Sequence, residues 1–232
     1  MILSLGVDRV EVVPFTRKFS SLSTREYLSE YLIGRFGAEA ILLGYDNRMG
    51  RNSSGPDEIE KEARSLGLEV IRSSSVEDSG KAISSTRIRE ALLGGDVALA
   101  SEMLGCDYTL EGVVVAGNHL GRTLGFPTAN LQLREPLKLV PGNGAYLVGV
   151  ETLGQEFYGM CNIGVKPTVS SGESRTIETN IFSFDEDIYG LDLKLTFRRF
   201  IREERKFSGK EELVLQLQKD RRTCLEMLNS LY

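Results

Sequence analysis

The chain has 232 residues, enough for one large or two modest domains. Its net charge of −5 argues against a nucleic-acid binder that works through a basic patch, and no apolar run approaches the ~20 residues of a membrane span. Three scattered cysteines without a CxxC pair read as reduced thiols of a cytoplasmic protein, and a single histidine excludes any site needing two imidazoles on this chain.

The N-terminus lacks the basic-then-apolar order of a secretory signal. Val10–Val13 is a β-branched run expected to form a buried strand stopped by Pro14. Ser23 and Glu26 have the spacing of a capping box, and Tyr27, Leu28, Tyr31, Leu32 and Phe36 follow at helical spacing up to Gly37. Ala40–Leu43 reads as a strand opening into the loop Gly44–Gly50, which carries Asp46. A surface helix over 57–66 and a strand over 68–71 come next. Alternating apolar strands and helices predict α/β layering with a parallel sheet, whose ligands sit beyond the carboxyl ends of its strands. Ser84, Ser85, Thr86, Arg87 and Arg89 then lead into a helix. Hydroxyls there can cap it, and hydroxyls with arginines at a helix start also suit phosphate. Gly94-Gly95-Asp96 breaks that helix, and a second one over 97–104 stops at Gly105, the expected domain boundary.

From Cys106 the period becomes alternating, with strands expected over 146–150, 157–163, 177–184 and 191–197, the signature of a small antiparallel β-barrel. Ser208 caps a long terminal helix with Glu211 and Glu212 in its first turn. Within the barrel region, Val113-Val114-Val115 empties into a loop with Gly117, Gly121 and Gly125, one cation (Arg122), and the sequence Pro127-Thr128-Ala129-Asn130. Glycines let the backbone approach a ligand closely, free N–H groups form anion cradles, and a guanidinium offers a fork for phosphate oxygens. Thr128 and Asn130 alternate by two, so their oxygens face one way and suit a hard cation such as Mg²⁺. A plain glycine-rich hairpin fits the same pattern. In the strand around Ile177, the positions Glu178, Asn180, Phe182 and Phe184 point one way. A carboxylate on an aromatic-bearing face is either the strand's solvated end or a group facing a site.

These blocks occur together and in one order. The segments GVVVAGNHLGRTLGFPTANL, NIGVKPT, the Glu178 strand with DIYG, and FIREERKF resemble the riboflavin kinase domain, over about residues 106–232. GYDNRMG at 44–50 and SSTRIR at 84–89 resemble the adenylyltransferase domain fused to that kinase in bacterial bifunctional FAD synthetases. The resemblance implies an incomplete α/β nucleotidyltransferase part over 1–105, followed by the kinase barrel with its C-terminal helix. It implies ATP and riboflavin as substrates, FMN and ADP as products and Mg²⁺ as the metal. Glu178 would be the general base. Gly117, Gly121, Arg122 and Thr128 would hold ATP, Thr128 and Asn130 the metal, and Arg202 and Phe182 the flavin. Asp46, Ser84, Ser85 and Arg87 would be residual adenylyltransferase positions. The family's HxGH motif, whose histidines grip ATP during FMN adenylylation, is absent, and Met1 falls at a middle strand of that fold. A sheet without its first strands is expected to expose an apolar face and to pair with another chain or be of limited stability. Asn180 stands where the family has histidine, and Ser183 where it has aspartate. His119 lies at a variable loop position. The rival readings are a chain that still adenylylates FMN, a non-catalytic flavin or nucleotide module, and a nucleic-acid-binding barrel.

Overall fold

The computed structural model describes residues 2–117, 120–167 and 173–229. His119 and Thr168 of NIGVKPT lie outside the described residues. The chain forms two compact units, Met1–Ala82 and Ile83–Tyr232.

In the first unit, Thr16 caps α1 (Arg17–Ser20), and the Ser23–Glu26 capping box forms at α2 (Thr24–Glu26) as its spacing predicts. The helix continues over Tyr27–Arg35 with π winding, which stacks Tyr27 on Tyr31 with ring centroids 6.1 Å apart. Strands β1 (Ala40–Leu43) and β2 (Glu69–Arg72) pair in parallel, bracketing α3 (Pro56–Ser65). A short hairpin, β3 (Glu77–Asp78) and β4 (Lys81–Ala82), follows. Val10–Val13 is not the expected buried strand. It runs exposed or half-buried without a ladder partner, because β1 and β2 pair only with each other. Ile41, Leu43 and Val70 pack on Leu28, Ile59 and Ala63, while Leu42 and Ile71, on the other face, are 70% and 50% exposed. The uncovered apolar face anticipated from the sequence is therefore present.

The second unit opens with α4 (Ser85–Leu93) and α5 (Val97–Leu104). Ala91, Leu92, Val97, Ala100 and Met103 belong to the barrel's own core, so these helices plug the barrel rather than extend the α/β part. The barrel closes in the order β10-β5-β6-β9-β8-β7, every pair antiparallel. Its strands are β5 (Thr109–Val115), β6 (Ala129–Leu133), β7 (Gly144–Thr152), β8 (Gln155–Pro167), β9 (Glu173–Ile181) and β10 (Asp192–Arg202). A four-residue turn of helix, α6 (Leu120–Thr123), interrupts the glycine loop between β5 and β6. The inward stripe Leu193, Leu195, Phe197 is fully buried, as the alternation predicts, whereas Leu191 stays outside the strand and exposed. Closure removes the sheet edges that an open antiparallel sheet would leave. The terminal helix α7 (Lys210–Asn229) lies on the outside of the barrel. Val214, Leu217, Cys224 and Leu228 pack with Phe126, Leu147, Met160 and Phe182. Ser208 donates its N–H and hydroxyl to Glu212, fixing the helix start.

Candidate active site

Period-two alternation makes the three-strand wall β6-β9-β8 two-faced. Asn130, Glu178 and Asn162 stand in register on its outer face, and Ala129, Thr179 and Cys161 on its inner face. The carboxylate is thus flanked across both ladders by side-chain amides. Each face borders its own cavity.

The outer cavity, about 300 Å³, lies between the wall and α7. Glu178, Asn180 and Asn162 line one side, and Leu213, Leu217 and Asp220 of α7 the other, with Phe126, Met160 and Phe207 supplying apolar surface. The inner cavity, about 350 Å³, opens into the barrel mouth. Val114, Ala129, Ile181 and Ile188 form its apolar walls, and Asp185, Glu186, Asp187, Tyr189 and Arg122 its polar lining. A small third recess joins Gly117, Arg122, Thr128, Asn130 and Tyr189. Thr128 is the one residue that lines all three.

The glycine loop earns its composition through close approach. A Cβ on Gly117 would sit 2.2 Å from Asn130 Nδ2, and one on Gly121 2.3 Å from the Phe126 carbonyl oxygen. Both glycines therefore make room for residues of the segment 126–130 that follows them. That segment is tied down by Asn180, buried, whose Nδ2 donates to the Pro127 carbonyl at 2.7 Å. The sequence placed Asn180 on the face of Glu178 and marked it as a departure from the family histidine, but did not reveal this role. A polar residue two positions after Glu178 on the same face was the available signal.

Arg202 lines the outer cavity but is already engaged. Its Nε donates to both oxygens of Asp220 at 3.0 Å, its Nη2 to Oδ2 at 2.8 Å, and its Nη1 to the Glu203 carbonyl. Gln216 Nε2 adds a bond to Asp220 at 2.7 Å. The guanidinium also lies 5.7 Å from the Phe207 ring centroid. Phe182 does not reach the cavity. The strand ends at Ile181, and Phe182 turns into the layer beneath α7, with Arg221 over its ring. Phe184 goes to the inner cavity and packs edge-on against Phe157. The aromatic lining of the outer cavity comes instead from Phe126 and Phe207. Nearby, Arg175 binds the Val140 and Pro141 carbonyls and Asn143, which in turn holds Glu204 at the cavity rim. Burial pushes the Arg175 pKa down.

Of the adenylyltransferase positions, Asp46 is exposed in the turn after β1, within the first unit. Ser84 caps α4 by accepting the Arg87 N–H, Ser85 is the exposed first residue of that helix, and Arg87 is half-buried. Among the described residues no cluster of three His, Cys, Asp or Glu could hold a metal ion. The oxygens of Thr128 and Asn130 beside the glycine recess suit instead a cation that carries its own phosphate and water ligands.

The riboflavin kinase family model matches residues 104–228, and the FAD synthetase model matches residues 1–87. The chain is 37% identical to the bifunctional riboflavin kinase/FMN adenylyltransferase of Bacillus subtilis, over 98% of its own length and 72% of the relative's. With the Escherichia coli K12 protein of the same name it shares 34% identity over 95% of its length and 70% of the relative's. A crystal structure described as a macrolide-efflux protein from Streptococcus pneumoniae superposes with a TM-score of 0.87 at 35% identity, covering 96% of this chain and 71% of that one. Among the described residues no helix is long and apolar enough to cross a membrane.

Proposed function

The chain belongs to the bifunctional riboflavin kinase/FMN adenylyltransferase family, and from that premise we propose how its residues divide the work of the kinase reaction. The activity is transfer of the γ-phosphoryl group of ATP to riboflavin, giving FMN and ADP. The observation that carries the residue assignment is the two-faced wall, with one cavity on either side and Thr128 common to both.

Riboflavin takes the outer cavity, where Phe126, Met160, Leu213 and Leu217 offer an apolar slot for the ring system. Its ribityl chain runs to Glu178. ATP takes the inner cavity, with its phosphates in the recess of Gly117, Arg122 and Thr128, and Gly121 of the same loop lines the outer cavity together with Thr128. Phosphoryl transfer depends on alignment and charge stabilisation more than on covalent work by the protein. Glu178 accepts the proton of the ribityl 5′-hydroxyl as its oxygen bonds to the γ-phosphorus and the bond to the ADP oxygen breaks. Asn130 and Asn162, flanking Glu178, orient the carboxylate, and Asn180 holds Pro127–Thr128 in place. Mg²⁺ accompanying ATP would be held by Thr128 and Asn130 and would screen the phosphate charge. Arg202, saturated by Asp220 along one edge, serves the flavin cavity as a wall fixed by the helix. Phe182 supports that wall from behind.

We assign residues 106–232 to the kinase and 1–105 to the adenylyltransferase-related part. The kinase model's start at residue 104 supports that division, although residues 83–105 pack as part of the barrel unit. Three free cysteines fit a cytoplasmic setting. Riboflavin, ATP and Mg²⁺ incubated with the protein should yield FMN. Glu178→Gln should lower turnover by at least 10²-fold with riboflavin binding retained. Normal FMN production by that variant would remove the base assignment. The FAD synthetase match over residues 1–87 favours a second reading, FMN adenylylation by the same chain. FAD among the products would establish it.

A further inference from the structure

Thr179 follows the proposed base and points the opposite way, into the barrel. It is fully buried, and its Oγ1 is the one buried side-chain polar atom among the described residues with no hydrogen-bond partner. Folded proteins rarely leave such an atom unmatched, because it loses its water without a replacement. Its cross-strand neighbour is the Cys161 thiol, which burial pushes up to about 12 and so keeps protonated although the nearby Thr179 hydroxyl acts the other way; a thiol is a weak partner that leaves most of the hydroxyl's bonding capacity unused. Thr179 also lines the inner cavity, whose other deep residues, Val114, Ala129, Ile181 and Ile188, are apolar. Beside those apolar residues Thr179 adds a hydroxyl, as Thr128 and Tyr189 do elsewhere in the lining, and such a slot suits a flat heterocycle that presents a hydrogen-bonding edge.

We propose that Thr179 is a specificity-determining residue for the phosphoryl donor, its Oγ1 hydrogen-bonding the edge of the nucleotide's heterocyclic base. This rests on the assignment of the inner cavity to ATP. The hydroxyl can donate to a ring nitrogen or accept from an amino group, and the strand fixes it on the face opposite Glu178. Pocket discrimination built on a polar group exceeds what an apolar wall can give, because the wrong ligand leaves that group unpaired.

The test compares Thr179→Val, which replaces the hydroxyl by a methyl group of similar size, with Thr179→Ser, which keeps it. ADP binding by calorimetry, KM for ATP and the melting temperature of the free protein are measured for each. Thr179→Val should bind ADP about 5- to 10-fold more weakly, the latter equal to about 1.4 kcal/mol. The loss should fall on KM for ATP rather than on kcat, with a melting temperature equal to or above that of the parent. Thr179→Ser should stay within about twofold of the parent. A purely structural hydroxyl would lower the melting temperature and weaken riboflavin binding as well, and that result overturns the proposal. So does ADP affinity within twofold of the parent for Thr179→Val. Ile188→Trp, which fills the inner cavity, separates the two levels. ADP binding abolished there but unaltered in Thr179→Val sinks only the Thr179 role. ADP binding unaltered in Ile188→Trp, with riboflavin still bound, sinks the cavity assignment.

Discussion

Asp220→Asn is the substitution whose cost can be worked most directly from the structure. The Asp220 side chain is 3% exposed and that of Arg202 18%, the most buried ion pair among the described residues. Its carboxylate receives three contacts from the guanidinium and one from Gln216. Removing one partner of a buried pair costs ~3–5 kcal/mol, mainly because the other charge is left buried without compensation. Arg202 keeps some access to water, so we expect the lower end, about 3 kcal/mol. With a urea m-value of about 2 kcal/mol/M the midpoint of the barrel transition should fall by about 1.5 M, read by circular dichroism. The half-exposed pair Lys194–Glu151, 2.9 Å apart, is the control, and Glu151→Gln should cost under about 1 kcal/mol. A functional readout accompanies the thermodynamic one. Because α7 lines the outer cavity and not the inner one, Asp220→Asn should weaken riboflavin binding while sparing ADP. The chain has no tryptophan, so quenching of flavin fluorescence is read without an indole background. A loss under about 1 kcal/mol, or equal weakening of both ligands, would refute the reasoning.

Gly121→Ala should lower kcat/KM for ATP by about 10- to 100-fold, since its Cβ would lie 2.3 Å from the Phe126 carbonyl and 3.3 Å from Thr128 Oγ1 and must displace the loop; steady-state kinetics at saturating riboflavin check it. Stability should decline in alkali. Burial raises the Cys161 thiol from 9.0 to about 12, so its contribution is full below pH 9 and is lost progressively toward pH 12, as the unfolded chain ionises first. The Cys161 share of the slope, at most about 1.4 kcal/mol per pH unit, should vanish in Cys161→Ala when urea unfolding is compared at pH 8 and 10.5.

The barrel was legible because alternation is a local signal: the buried stripe Leu193, Leu195, Phe197 and the faces of Glu178 and Thr179 follow from counting by two. Helix starts were legible where a cap announces them, at Ser23 and Ser84, whereas Ser208 lies one residue before the cap position of α7 and ties to its first turn through Glu212. Val10–Val13 was misread because β propensity cannot say whether a partner strand exists. Phe184 was expected on the face of Glu178 and lies on the other because Ser183 takes φ of 54° and breaks the alternation, while Phe182, just past the strand's end, stays on the α7 side but packs beneath the helix instead of lining the cavity. The Arg202–Asp220 pair joins residues 18 apart on different elements, and nothing in either local pattern points to the other.

The wall strand β9 carries a constraint on how this enzyme can change. Its even-numbered residues Glu178 and Asn180 line one cavity and its odd-numbered Thr179 and Ile181 the other, the two that we propose for acceptor and donor. Substitutions can therefore retune acceptor and donor preference separately, position by position. A single inserted or deleted residue cannot be absorbed in the same way, because it would exchange the two faces at once, sending the carboxylate into the barrel and the core side chains out toward α7.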